Sequence, residues 1–165
     1  RIDLALLRAN GIRGLILDVD NTLTLHDSQM LRGDVREWIE SMRAAGVPMI
    51  IVSNNSYDRV KPFADALSLD FVSMGMKPLT FGFTKAQKKM DLPVQDIAVV
   101  GDQIYTDIVG GNLKGMFTIL VQPMLLENGW TFKVRRNLET IHIRTYYRRR
   151  SPAREKRPEP HSSRR

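Results

Sequence analysis

The stretch Leu15-Ile16-Leu17-Asp18-Val19-Asp20-Asn21-Thr22-Leu23-Thr24 decides how the rest of the chain is understood. Three apolar residues run into two carboxylates spaced two apart, followed by Asn and Thr. Such a run, bounded by turn residues, predicts a buried strand from about Leu15 to Val19. Asp, Asn and Thr then favour a turn over further sheet. Side chains at i and i+2 of a strand share a face, so Asp18 and Asp20 can point the same way. If the backbone changes direction after Asp18, Asp20 meets it from another angle. Either way, two carboxylates converge at the carboxyl end of a buried strand, where open α/β sheets place their ligands. Adjacent anions repel, so such a site needs a cation, a proton or both. Taken alone, the stretch also fits a strand end closed by an Asx turn.

Outward from this stretch, strands alternate with helices. Ile2–Asn10 is a short apolar helix or loop, broken by Gly11 to Gly14. Leu23–Gly33 has no clear period and predicts a loop over the site. Val35, Trp38, Ile39 and Met42 recur at helical spacing in Asp34–Ala45, and Gly46 supplies a stop. Val47–Val52 is a second buried strand ending in Ser53-Asn54-Asn55. Val60–Leu67 is helical, with Pro62 near its start, and Phe71-Val72 is a short third strand. Gly75–Pro78 is a turn carrying Lys77, and Leu79–Met90 is a helix. Ile97–Val100 is a fourth strand ending in Gly101-Asp102, with Asp107 five residues on. Tyr105–Leu113 is a short helix and Phe117–Val121 a fifth strand. The alternation predicts an α/β fold, a Rossmann-like doubly wound parallel sheet. In a parallel sheet all carboxyl ends face one edge, so the polar groups at these strand ends converge there.

Each group has a plainer reading on its own. Ser53-Asn54-Asn55 fits a helix N-cap, Lys77 a solvated turn lysine, Asp102 a strand-end turn and Asp107 a helix surface charge. Gly110-Gly111-Asn112 is most simply a helix stop. The Met-rich stretch Met74–Met90 is expected to be core. His26, His142 and His161 show no ligand pairing.

Length and charge set the outer limits. A chain of 165 residues suits one domain with a proper core. There is no Cys, so disulfides and thiol ligands are excluded. Arg1–Asn10 lacks the basic start and long apolar core of a secretory signal, and no apolar run reaches membrane-span length. The expected location is cytoplasmic, with a candidate peripheral contact at a membrane. The net charge of +7 sits entirely at the end: Arg144 onward holds nine Arg/Lys against two Glu. Residues 1–143 are therefore neutral overall. They are expected to form a single domain, with 144–165 a basic, disordered tail. Lys133–Tyr147 fits an amphipathic helix.

Four motifs in order resemble the haloacid-dehalogenase-like (HAD) superfamily: Asp18-Val-Asp-Asn-Thr22, Ser53 after a strand, Lys77, and Gly101-Asp102-Gln-Ile-Tyr-Thr-Asp107. The likeness covers about residues 12–125. Asp-Asn-Thr-Leu, Ser-Asn-Asn, Met-Lys-Pro and Gly-Asp-Gln-x-x-Thr-Asp look like the YqeG-type phosphatases, which are similar to phosphatidylglycerophosphate phosphatases. The resemblance implies a HAD core and a phosphomonoester hydrolase working through an aspartyl phosphate. It implies Asp18 as nucleophile and Asp20 as general acid and base. It implies Mg²⁺ held by Asp18, Asp102 and the Asp20 carbonyl. Phosphoryl oxygens would be bound by Ser53, by the Asn54 backbone N–H and by Lys77, whose backbone Pro78 restricts to an extended form. Thr22 would brace the loop holding Asp20, and Asp107 would support Lys77 or the metal shell.

The gaps between Asp20 and Ser53 and between Ser53 and Lys77 are too short for the lid that many members carry, so no cap domain is expected. A site without a lid suits a phosphate carried on something bulky, such as a phospholipid headgroup. Small soluble esters remain an alternative substrate class. A second class of function is a basic nucleic-acid or ribosome-associated binding protein with an idle HAD site. The intact motifs favour the enzyme, and nucleic acid is not the expected partner.

Overall fold

The apolar runs become five strands of one parallel sheet in a computed structural model, which describes residues 2–19 and 33–122. The strands are β1 (Gly14–Leu17), β2 (Met49–Val52), β3 (Asp70–Val72), β4 (Ile97–Gly101) and β5 (Phe117–Leu120). The helices are α1 (Leu4–Ala9), α2 (Gly33–Ala44), α3 (Tyr57–Leu67), α4 (Phe81–Met90) and α5 (Val109–Lys114). The sheet order is β3-β2-β1-β4-β5, and every pairing is parallel. The chain thus steps outward from β1 to β3, then crosses back to lay β4 on the other side of β1. The reversal between β1 and β4 is the switch point at which such sheets bind ligands.

Burial explains why these strands are so apolar. Leu15, Leu17, Met49, Ile51, Ala98 and Val100 pack on one face with Leu7 of α1, Ile39 and Met42 of α2, and Phe63 and Ala64 of α3. Ile16, Ile50, Val52 and Val99 pack on the other face with Phe83 and Ala86 of α4 and with Met116. Both faces are covered, so alternate residues are apolar on each side and the run is continuous. Each fully buried aliphatic side chain contributes about 1.5–3 kcal/mol of transfer free energy.

Several expectations are corrected. The third helix begins at Tyr57 and not at Val60, so Pro62 lies inside it. The helix tolerates the lost N–H because it buries Val60, Phe63, Ala64 and Leu67. Gly110 and Gly111 are not a stop; they are buried within α5, which ends at Gly115 with φ +81°. They are small because the helix packs closely. A Cβ on Gly110 would meet Phe83 Cε2 at 2.6 Å, and one on Gly111 would meet Thr118 Cγ2 at 2.7 Å. Met74 and Met76 are not core: they are 60 % and 55 % exposed.

Between Ser53 and Lys77 the chain makes only α3 and β3, leaving no cap domain there. The rest of the expected loop before Gly33, the Lys133–Tyr147 helix and the boundary at 143/144 lie outside the described residues. Among the described residues, no helix is long and apolar enough to cross a membrane.

Candidate active site

Four buried charged side chains meet at the carboxyl ends of the central strands: Asp18, Lys77, Asp102 and Asp107. Asp18 follows β1, and its N–H donates to Val100 O at 2.9 Å, extending the β1–β4 ladder. The sheet itself therefore fixes where this carboxylate starts. Asp102 directly follows β4 and is 1 % exposed.

Lys77 arrives from the turn between β3 and α4. Asn54, one residue beyond Ser53 at the end of β2, clasps its backbone. The Lys77 N–H donates to Asn54 Oδ1 at 2.7 Å, and Asn54 Nδ2 donates to Lys77 O at 3.0 Å. The Lys77–Pro78 peptide is cis. From this anchor the ammonium donates to Asp18 Oδ1 at 2.5 Å and to Asp107 Oδ1 at 2.7 Å.

Asp107 sits in a π-helical turn, Ile104–Ile108, that leads into α5. Such turns distort a helix locally and frequently mark functional sites. Its N–H donates to Gln103 O at 2.9 Å, and its Oδ2 accepts from Gln103 N–H at 3.2 Å. The carboxylate lies against Gly101, where a Cβ would come within 2.3 Å of Asp107 Oδ2. Only glycine leaves room for it.

Ser53 is fully buried at the end of β2. Its N–H donates to Val72 O at 3.0 Å, and its Oγ accepts from Asn55 N–H at 3.1 Å. The N-cap of α3 is Ser56, not this group. Asp20 and Thr22 lie outside the described residues.

The electrostatics follow from burial and proximity. Burial disfavours the charged form of Lys77, yet the charges of Asp18 and Asp107 and their hydrogen bonds prevail, and its pKa is raised. Burial raises the pKa of Asp107 and the Asp18 charge raises it further. The Lys77 ammonium and the Gln103 N–H oppose this, and the net result is a pKa of about 6. A carboxylate beside an ammonium usually titrates low. Here the pocket holds more negative charge than one lysine can balance.

The donor set suits a hard divalent cation. Asp18, Asp102 and Asp107 each offer a carboxylate oxygen, all within 4.8 Å of one another, and all three residues are buried. An all-oxygen set of this kind matches Mg²⁺. Three carboxylates against one ammonium leave a charge deficit that such an ion offsets.

Sequence reasoning missed three contributors: the Asn54 side-chain clasp, the Gly101 clearance and the Gln103 N–H. A glycine immediately before a strand-end aspartate was the only signal available for the second. The other two depend on backbone geometry.

A family profile for haloacid dehalogenase-like hydrolase matches residues 8–113. The chain is 38 % identical over 133 residues to the probable phosphatase YqeG of Bacillus subtilis (strain 168), covering 81 % of this chain and 77 % of that protein. It is 29 % identical over 161 residues to a phosphatidylglycerophosphate phosphatase 1, chloroplastic/mitochondrial, of Arabidopsis thaliana. That alignment covers 90 % of this chain but 45 % of the plant protein, so the chain spans about half of its length. Among solved structures, a 4-nitrophenylphosphatase from Thermotoga maritima shares the fold with a TM-score of 0.61 at 14 % identity, covering 72 % of this chain and 89 % of that chain.

Proposed function

This chain belongs to the haloacid dehalogenase-like hydrolase family and is a phosphatase, and on that footing we propose that it is Mg²⁺-dependent, works through an aspartyl phosphate on Asp18, and acts on phosphatidylglycerophosphate. The observation that carries the reading is the Lys77 ammonium, shared between Asp18 and Asp107 inside a buried acidic cluster. The substrate follows the names of the plant relative and of an algal one, phosphatidylglycerophosphate phosphatase 1, chloroplastic, of Chlamydomonas reinhardtii.

Asp18 attacks phosphorus, forming an O–P bond as the ester P–O bond breaks. Lys77 pairs with the Asp18 carboxylate and neutralises phosphoryl oxygens, which also accept hydrogen bonds from the Ser53 hydroxyl and the Asn54 backbone N–H. Asp20 gives a proton to the leaving oxygen and then takes one from the water that cleaves the aspartyl phosphate. Thr22 braces the loop that carries Asp20, and Asp107 aims Lys77. Asp18, Asp102 and the Asp20 carbonyl would hold Mg²⁺, with Asp107 beside them. The ion supplies positive charge that lets a carboxylate approach an anionic phosphate.

Residues 1–143 form the phosphatase domain in this reading. The basic end from Arg144 holds the protein to the cytoplasmic face of an anionic membrane, at about 1 kcal/mol per basic residue near the surface. Truncation after Ile143 weakens sedimentation with anionic vesicles at low salt; unchanged sedimentation removes that part.

The decisive test is turnover. The wild type with Mg²⁺ releases phosphate from 4-nitrophenyl phosphate and from phosphatidylglycerophosphate, and Asp18→Asn lowers both by about 10³-fold or more. Equal inertness of both proteins on a broad phosphate panel sinks the enzyme reading. Activity on soluble esters alone sinks the lipid substrate.

A further inference from the structure

The turn that delivers Lys77 is lined by large apolar side chains facing solvent. Met74 is 60 % exposed, Met76 55 %, Leu79 59 % and Phe81 59 %. Met74, Met76 and Leu79 lie in one hydrogen-bonded loop between β3 and α4, and Phe81 opens α4. Met74 N–H donates to Asn55 O at 2.9 Å, Leu79 N–H to Met76 O at 2.8 Å and Gly82 N–H to Gly75 O at 3.1 Å. Single exposed apolar residues are ordinary. Four between Met74 and Phe81, flanking the site lysine, concentrate exposed apolar surface along one short segment.

The backbone makes the methionines harder to assign to folding. Met74 and Met76 have φ of +47° and +55°, a left-handed conformation that side chains with a Cβ rarely adopt. The turn itself has a structural reason. Gly75, between them, docks so closely that a Cβ would sit 2.9 Å from Val52 Cγ1, and a Cβ on Gly82 would lie 2.7 Å from Gly75 O. The left-handed backbone at the two positions flanking Gly75 is one that Asn or Gly adopts at lower cost. Exposed methionine side chains add nothing to the core there. They do supply flexible, polarisable apolar surface.

We propose that this rim of Met74, Met76, Leu79 and Phe81 inserts into the headgroup–acyl boundary of an anionic phospholipid bilayer, bringing the site beneath it to a phosphate on a lipid headgroup. The proposal rests on reading the substrate as a lipid phosphate. Three observations select a bilayer as the occupant. The rim is continuous with the site, since Lys77 lies between Met76 and Leu79 in the same loop. The +7 carried from Arg144 onward complements an anionic surface. That same charge repels a second copy of this chain. A protein anchored by both an apolar face and a basic segment binds in the interfacial manner, with its apolar side chains at the acyl boundary.

The test uses the full chain, with vesicles of phosphatidylcholine mixed with phosphatidylglycerol, at low salt and at about 0.5 M salt, where exposed charges are screened. The variants are Met74→Asn with Met76→Asn, and Leu79→Ser with Phe81→Ser. The wild type sediments with the vesicles and retains part of its binding at high salt. Each double variant loses about tenfold in partitioning, most visibly at high salt. Both keep the turnover of soluble 4-nitrophenyl phosphate, and the asparagine pair melts no lower than the wild type.

Variants that sediment like the wild type overturn the proposal. So do variants that melt lower with sedimentation unchanged, which assigns the rim to the chain's own packing. A wild-type dimer that the variants dissociate, again with unchanged sedimentation, assigns the rim to a second copy. Rim-dependent binding without hydrolysis of phosphatidylglycerophosphate in the vesicles supports the rim and removes the substrate. Hydrolysis of that lipid in detergent with rim-independent binding does the reverse.

Discussion

At the scale of single residues, the site depends on clearances as much as on charges. Gly101 is the sharpest case. Its missing Cβ is what lets the Asp107 carboxylate lie against the end of β4, with Cγ 2.4 Å from where a Cβ would be. Gly101→Ala must push Asp107 away and strip Lys77 of one of its two carboxylate partners. We expect phosphatase turnover to fall about 10–100-fold, with stability reduced by about 1–3 kcal/mol as in other overpacked sites. Steady-state kinetics beside a thermal melt checks both. Asn54 acts differently, since it touches the lysine backbone and not the ammonium. Asn54→Ala leaves a part-buried N–H and C=O without that partner and should cost about 1–3 kcal/mol. The loss appears as a lower melting temperature together with slower turnover, and Asn54→Asp, which keeps the acceptor for the Lys77 N–H, loses less. The convergence of Asp18, Lys77, Asp102 and Asp107 was legible in the sequence, because strand-end position follows from topology. The clasp and the clearance were not, because they depend on distances of a few tenths of an ångström between segments far apart in the chain.

At the scale of elements, the three central strands were legible for one physical reason. A parallel sheet covered on both faces needs unbroken apolar runs, and Leu15 to Leu17, Met49 to Val52 and Ile97 to Val100 supply them. Helix boundaries were less so. Pro62 suggested a helix start, yet packing of α3 carries the helix back to Tyr57. The glycine pair in α5 suggested a stop, yet close contact with α4 and β4 explains it. Composition alone does not distinguish a glycine needed for its dihedral from one needed for its size. Helix ends offer a direct test of the first kind. Ser68 closes α3 in the left-handed conformation, with φ +51°, its N–H donating to the Ala64 and Asp65 carbonyls. Glycine adopts that conformation without the Cβ penalty. Ser68→Gly should therefore stabilise the protein by roughly 0.5–1 kcal/mol, and Ser68→Ala should not. Equal or lower melting temperature for the glycine variant would show that the αL strain at this cap is negligible.

At the scale of the whole molecule, the pocket's charge balance couples folding to pH and to any cation that the acidic cluster takes up. Asp107 titrates at about 6 in the folded protein, against 3.8 for its ordinary value. A raised carboxyl pKa means that the folded state holds the proton more tightly than the unfolded one. Between those two values the folded state carries more protons, so this group's contribution to stability falls as pH rises through that window. The fall is of order 3 kcal/mol when counted at 1.36 kcal/mol per unit. Lys77 does not offset it there: its raised pKa gives a contribution fully present below 10.5 and lost only at higher pH. Metal-free protein should therefore lose stability from about pH 4 to pH 6 by this route, and Asp107→Asn should lack that component. A bound divalent cation beside the Asp107 carboxylate favours its ionised form, so Mg²⁺ should bind better as pH rises and flatten the decline. Melting curves of wild type and Asp107→Asn across pH 4–7, with and without Mg²⁺, measure the difference directly. A wild-type profile parallel to that of the variant in metal-free buffer would show that the excess negative charge is dissipated some other way. A Mg²⁺ effect unaltered by Asp102→Asn would show that the ion binds elsewhere.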